Sequence, residues 1–600
     1  MCGIYGTVNI KTNYHSFLKE LNRMVHRGPD DFGVWQNDDS SVYLGHRRLS
    51  IIDKSPRSNQ PMHKINRYSI VYNGEIYNYI ELRSNLKTRR VSFETESDTE
   101  VLLQLFIESG VDSFGLLNGM WAFGIYDNFE KKLTICRDRL GKKPLYYFHK
   151  GDQLAFSSEM KNLLCYLDEI EYDQDFVDLS ITNTLYCESL EQTIYKGIKK
   201  LPAGSYAVFQ NGKLEIKRYF FSEYLLHLKN SYKNFNEAVE DFTELFKSSC
   251  KLRMRSDVPI GSSLSGGIDS GFLVSIVSQL LGPNNNYKAL ISSFPGSSLD
   301  ESMDANVVAK NASVKTESIV ADSNISPDNI LRSIFMFEEI SEVSPSSFFQ
   351  LYAAFRERNI VVSLDGHGSD ELFGGYTNDL YVKIKDDFPN IFRMYNTLHS
   401  INSIHGISNR PDLKLIFSLF KKELKLNIEQ KNPILFFQEA GYFKAKLYDS
   451  TFKGILPTLL RNYDKYSMSA GVEIRMPYLD HRLVEFAFSL PNDYKFRGGY
   501  TKAIVRSAGK HIMPEKILKN KIKIGWSAPM NQWISGPWRQ WILDEISSQD
   551  FMNCNLINPI LLKEKINLFY KTGNNQISAT DIWKNIQPYL IQKGNKMFNV

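Results

Sequence analysis

Cysteine is scarce in this chain and carries no pattern. The 600 residues hold six, Cys2, Cys136, Cys165, Cys187, Cys250 and Cys554, without a CxxC pair or metal-ligand spacing. That argues against a disulfide frame or a zinc site and for a reducing compartment. Charge of one sign is also missing: 72 Lys and Arg against 67 Asp and Glu give +5, too little over this length to point to nucleic acid or an anionic membrane. The start, MCGIYGTVNIKTNYHS, has neither a basic opening nor an apolar run, so no signal peptide is expected. No window reaches the ~18 uninterrupted apolar residues of a membrane helix. A cytoplasmic protein of about two to four domains is expected.

Among what is present, LSGGIDS at Leu264–Ser270 stands out. An apolar, β-branched run over 258–264 precedes it and a helical pattern over 271–281 comes after, so the glycines fall on a strand-to-helix turn. Gly266 and Gly267 remove the Cβ atoms that would keep an anion away, and backbone N–H groups at a helix start point towards negative charge. Ser265 and Ser270 add hydroxyl donors, and the Asp269 carboxylate suits Mg²⁺. The loop lacks a GK[ST] ending, which sets it apart from the common phosphate loop. A plain Gly/Ser turn without ligand is the alternative.

The first 200 or so residues read as short strands, at 4–10, 42–47, 68–72, 121–126, 133–137 and 145–148, interrupted by helical patterns at 17–24, 77–86 and 99–109. Sheets covered by helices are expected from that order. Cys2 stands directly after the initiator Met; once Met1 is removed, one residue bears both a thiol and an α-amine, which titrates near pH 8 and can act as the local base.

Cys2 is accompanied by HRGPDD at His26–Asp31, GHRRLSIID at Gly45–Asp53, YNGEIYN at Tyr72–Asn78 and ESDTE at Glu96–Glu100. With CGIYG, these motifs resemble, in order, the glutamine amidotransferase domain of the N-terminal-nucleophile type. The resemblance implies an αββα sandwich in which Cys2 attacks the side-chain amide of glutamine, forms a thioester and releases ammonia. It also implies that Arg48 holds the substrate's α-carboxylate, that Asp98 takes its α-amino group with help from Glu75, and that Asn73 and Gly74 form the oxyanion hole. DRLGKKPLYY at Asp138–Tyr147 and FSSEMKNLL at Phe156–Leu164 fit the same family as structural pieces.

A boundary is expected between about 201 and 236, after the LPAGS turn, with Asn236 capping a helix that carries Ala238, Phe242, Leu245, Phe246 and Cys250 on one face. Beyond it, strands at 258–264, 288–294, 316–320 and 359–364 alternate with helical patterns, which points to a parallel, doubly wound sheet with ligands at the carboxyl ends of its strands. LSGGIDS and LDGHGSDELFGGY at Leu364–Tyr376 both occupy such ends, and so share one cleft. The second loop carries Asp365, Asp370 and Glu371.

Here the chain resembles the asparagine synthetase family, and LPTLLRNYDKYSMSAGVEIRMPYLDHRLVEFAFSLP at Leu456–Pro491, Lys502 and KIKIGWSAPMNQW at Lys521–Trp533 extend the likeness. The resemblance implies three segments: a glutaminase domain over 2–205, a linker over 206–235 and an ATP-pyrophosphatase domain over 236–600 with helical C-terminal additions. It implies ATP and Mg²⁺ as cofactors and small-molecule partners, with a homodimer as the family expectation. Leu264, Ser265, Gly266, Gly267, Asp269, Ser270, Asp365, Gly366 and Lys502 would bind ATP and pyrophosphate, and Asp269 and Asp370 the metal. The implied reaction is attack of a substrate carboxylate on the α-phosphate, then displacement of AMP by ammonia. That ammonia must travel unprotonated through a closed, water-poor channel.

The acidic loop departs from the family's SGEGSDE or SGDGxDE at two positions, where Asp365 replaces a serine and His367 a glutamate. That acid is the family's base for ammonia, and a histidine can take a proton in its place or simply pack. Aspartate is the first acceptor to consider; another carboxylate, such as a uronic acid on a sugar, is the second.

Overall fold

The computed structural model describes residues 2–283, 285–387, 390–404, 440–523, 525, 527–572 and 577–598. Ile524 and Trp526 of the KIKIGW motif lie outside them.

The first half stacks two antiparallel six-stranded sheets. One has the order β10 (Ile198–Lys200), β8 (Tyr146–Lys150), β9 (Gln153–Ser157), β1 (Gly3–Val8), β3 (Val42–Arg48), β2 (Asp31–Gln36). The other has the order β12 (Lys213–Arg218), β11 (Ser205–Gln210), β7 (Lys132–Arg137), β6 (Gly119–Asp127), β5 (Tyr68–Ile76), β4 (Met62–Lys64). Strand alternation builds the layers. Val71 joins Ile4, Leu44, Ala122 and Ile135 between the sheets, whereas its neighbours Ile70 and Tyr72 pack outward with Leu102 and Phe106 of the helix Asp98–Ser109. On the opposite face Phe17 and Leu21 of the helix Tyr14–Asn22 cover Tyr5 and Tyr43. The result is helix, sheet, sheet, helix.

The sheet runs past the boundary expected at residue 205. β11 pairs with β7 and β12 pairs with β11, so residues to 218 complete the sandwich and the connection between the halves begins only after Arg218. β12 is a solvated edge strand, nearly all exposed, whose only apolar residues are Leu214 and Ile216. The next helix spans Phe235–Arg253 and is capped by Asn234, whose side chain accepts from the Asn236 N–H. This corrects the expected Asn236 cap by two residues.

The second half holds a five-stranded parallel sheet in the order β15 (Lys315–Val320), β14 (Lys288–Ser293), β13 (Ile260–Ser263), β16 (Val362–Leu364), β17 (Glu473–Arg475). The chain moves outward from β13 to β15, then crosses to β16 and β17, so the order reverses between β13 and β16. Ligands of open parallel sheets bind at such a switch point. C-terminal helices return to the first half, where Ile542, Ile566 and Trp583 share a core with Tyr5 and Phe148. No helix among the described residues is long and apolar enough to cross a membrane.

Candidate functional site

Two cavities collect the predicted residues. The first has a volume of about 40 Å³ and is lined by Cys2, Arg48, Gly74, Glu75 and Asp98. Cys2 leads into β1, and its N–H donates to Asn73 Oδ1 at 3.0 Å. That bond leaves Asn73 Nδ2 buried without a hydrogen-bond partner. Burial raises the Cys2 thiol above its usual range, so it needs a base to ionise. The Arg48 guanidinium is fixed by the loop after β3, donating to Ser55 O at 3.1 Å and Asp53 O at 2.5 Å and also bonding Asn59.

Asp98 opens its helix and accepts from Tyr72 Oη and the Ile76 N–H, each at 3.0 Å. Burial pushes its carboxyl up to about 6. Burial and the neighbouring Asp98 likewise raise Glu75. Glu75 Oε2 lies 3.2 Å from Arg475 of the second half, while its Oε1 is buried without a hydrogen-bond partner. Sequence reasoning assigned no role to His46, which also lines this cavity. Its Nε2 donates to Tyr72 O at 3.2 Å, and burial with nearby Arg48 holds its pKa at about 3, so it stays neutral.

The second cavity is a cleft of about 330 Å³ at the carboxyl ends of β13 and β16. Leu264 anchors the first loop through its N–H to Leu290 O at 2.9 Å. Ser265 and Ser270 bring their hydroxyls to 3.0 Å, and the Gly267 N–H donates to Ser265 Oγ at 3.2 Å. The helix after this loop begins at Ile268, earlier than its apolar pattern suggests, which puts Asp269 and Ser270 in its first turn. The two loops abut at Gly366, where a Cβ would sit 2.8 Å from the Ser270 nitrogen.

Asp269 and Asp370 face each other across two lysines. Lys502 Nζ lies 2.5 Å from Asp269 Oδ2 and 2.5 Å from Asp370 Oδ1; Lys523 Nζ lies 3.0 Å from Asp370 Oδ2. Against the upward push of burial, these lysines hold the Asp370 carboxyl far below the usual range. Asp269 Oδ1 is buried and lacks a hydrogen-bond partner. Two hard carboxylates with an open oxygen fit Mg²⁺, which takes one or two carboxylates and completes its shell with phosphate and water. No larger ligand cluster of His, Cys, Asp and Glu occurs among the described residues.

Alongside, Gly266, Gly267, Lys502, Arg506, Lys521 and Lys523 line a cationic recess. Arg506, Lys521 and Lys523 had no predicted role. Glu371 was also passed over; it lines the cleft and accepts from Tyr376 Oη at 2.6 Å, and burial with adjacent Asp370 raises it to about 7.

His367 lines the cleft with its ring 3.7 Å from that of Tyr463, and Nε2 has no hydrogen-bond partner. Burial lowers its pKa, so the imidazole is neutral near pH 7. Leu185 of the first half, Ile455 and Leu459 complete this end. Asp365 differs from expectation. Its fully buried carboxylate is turned into the protein, accepting from Tyr352 Oη at 3.0 Å, from Ser363 Oγ and from the Ser263 N–H at 3.4 Å. It does not line the cleft. Three internal donors satisfy it, so it shapes the loop from below.

The glutamine amidotransferase domain family matches residues 1–220, and the asparagine synthase family matches residues 241–586. Asparagine synthetase 1 (glutamine-hydrolyzing) of Bacillus subtilis strain 168 is 29% identical over 580 residues, covering 90% of this chain and 89% of the relative. Asparagine synthetase 3 (glutamine-hydrolyzing) of the same organism is 30% identical over 552 residues, covering 87% and 86%. The chain belongs to the asparagine synthase family, as a glutamine-hydrolysing carbon–nitrogen ligase with an amino-terminal glutamine amidotransferase domain.

Proposed function

We propose that the enzyme hydrolyses glutamine at Cys2 and uses the ammonia to amidate a carboxylate activated by ATP in the cleft between β13 and β16. The observation that carries this reading is the meeting of Asp269 and Asp370, from two separate loops, across Lys502. An adenylating site requires that placement of carboxylates and cation around a triphosphate.

In the first cavity the Cys2 α-amine takes the thiol proton, and the thiolate attacks the glutamine amide carbon. The unpartnered Asn73 Nδ2 and the Gly74 N–H receive the oxyanion. The leaving ammonia takes the proton from the α-amine, and water then releases glutamate. Arg48 pairs with the substrate's α-carboxylate. Asp98 and the free Oε1 of Glu75 take its α-ammonium.

Ammonia must then pass unprotonated between the halves to reach the cleft. In the cleft the acceptor carboxylate attacks the α-phosphate and expels pyrophosphate. Its charge falls on Ser265, Gly266, Gly267 and Ser270, with Lys502 and Lys523 beside them. Asp269 and Asp370 would hold Mg²⁺, which supplies charge neutralisation at the phosphates. Neutral His367 takes the proton that the attacking ammonia loses as AMP departs.

Aspartate is the first acceptor, giving asparagine. His367 in place of an acid, in an end otherwise walled by Leu185, Ile455, Leu459 and Tyr463, favours a second reading: the same chemistry on another carboxylate, such as a uronic acid. Cys2→Ala is expected to abolish glutamate release from glutamine. Mass spectrometry of products from ATP, glutamine and a mixture of aspartate and uronic acids identifies the acceptor. Absence of acceptor-dependent AMP across such a panel would overturn the synthetase reading.

A further inference from the structure

The glutamine cavity is not closed by its own domain. Glu473, on β17 of the second half, lines it beside Cys2, Glu75 and Asp98. Two residues along the same strand, Arg475 is fully buried and held on three sides: Nε to Glu473 Oε1 at 2.5 Å, and Nη1 to Arg253 O at 2.8 Å and Arg255 O at 2.5 Å. These anchors hold Nη2 within 3.2 Å of Glu75 Oε2, an ion pair made without a hydrogen bond. Glu75 thus has one oxygen tied to a fixed cation and the other, Oε1, free at the cavity wall.

We infer that Arg475 is a positioning residue of the glutamine site, supplied across the domain boundary to keep Glu75 aimed at the substrate's α-ammonium. The inference rests on the proposed role of Glu75 in glutamine binding. Glu75 and Asp98 are both buried in one cavity, and two carboxylates so placed repel each other. A guanidinium on the far side of Glu75 offsets that repulsion without occupying the cavity. A fixed planar cation also sets the carboxylate's direction, which a mobile ammonium does less well. The same residue reaches the other site through its backbone: Arg475 O accepts from the Asp365 N–H at 2.9 Å, where the loop carrying His367 begins.

The test compares wild type, Arg475→Gln and Arg475→Lys in two assays. One is glutamate release with glutamine varied; the other is acceptor-dependent AMP formation driven by ammonium chloride, which bypasses the first cavity. For Arg475→Gln the expected result is a rise of about tenfold in KM for glutamine, kcat within about threefold, and ammonium-driven synthesis retained. Arg475→Lys should recover part of the KM. Unchanged glutamine KM in Arg475→Gln would overturn the inference, as would an equal fall of both activities in the two variants, which marks a merely structural residue. If wild type shows no Cys2-dependent glutamate release, the reading of the cavity itself falls and the inference falls with it.

Discussion

At the scale of the residue, Asp98 shows how burial sets a working range. With its carboxyl raised to about 6, the anionic form that can pair with an ammonium exists above that pH and is lost below it. The KM for glutamine is therefore expected to rise as pH falls from 7.5 to 5.5, and Asp98→Asn should raise it throughout and flatten the slope, Glu75 being the other buried carboxyl with a raised pKa; steady-state glutaminase kinetics across pH check both. That Cys2, Arg48, Glu75 and Asp98 come together in one cavity was legible in the sequence, because each sits in a short motif. Arg475, Arg506 and Lys523 were not. A lone cation carries no spacing signal, and only the fold reveals which anion it meets. Asp365 misled for the opposite reason: an acid in an acidic loop looks like a ligand until its three internal donors are seen.

At the scale of the element, the loop after β16 depends on the absence of a side chain at Gly375. A Cβ there would lie 1.8 Å from Asp370 Oδ1 and 2.3 Å from Lys502 Cε, contacts no side chain tolerates. Gly375→Ala is expected to displace the Asp370–Lys502 pair and cut acceptor-dependent AMP formation at least tenfold, at a cost of about 1.4 kcal/mol or more, while glutamate release by Cys2 persists. Measuring both half-reactions on one preparation decides it. The doubly wound pattern was readable because short stretches around β13, β14 and β15 alternate with helical ones. β17 was not: two of its three residues are charged, and Glu473 and Arg475 pair with each other inside the sheet. Apolar patterning cannot find a strand whose burial rests on an ion pair.

At the scale of the whole molecule, buried charge joins the halves. Asp464 of the second half accepts from Arg27 Nη2 at 2.8 Å and Lys143 Nζ at 3.1 Å of the first, all three essentially inaccessible. Asp464→Asn would leave two buried cations short of a counter-charge, a loss on the order of 3 kcal/mol. The expected outcome is a lower urea midpoint for separation of the halves, monitored by fluorescence.

Leu185 of the glutaminase half forms part of the wall around His367, and Glu473 of the synthetase half forms part of the wall around Cys2. Each half thus lends the other a piece of its binding surface. The two are not interchangeable cassettes: a glutaminase half grafted from a relative brings a foreign residue into the acceptor cleft along with its own ammonia supply. On the proposed function, selectivity for the acceptor would be encoded partly in the half that does not perform the amidation.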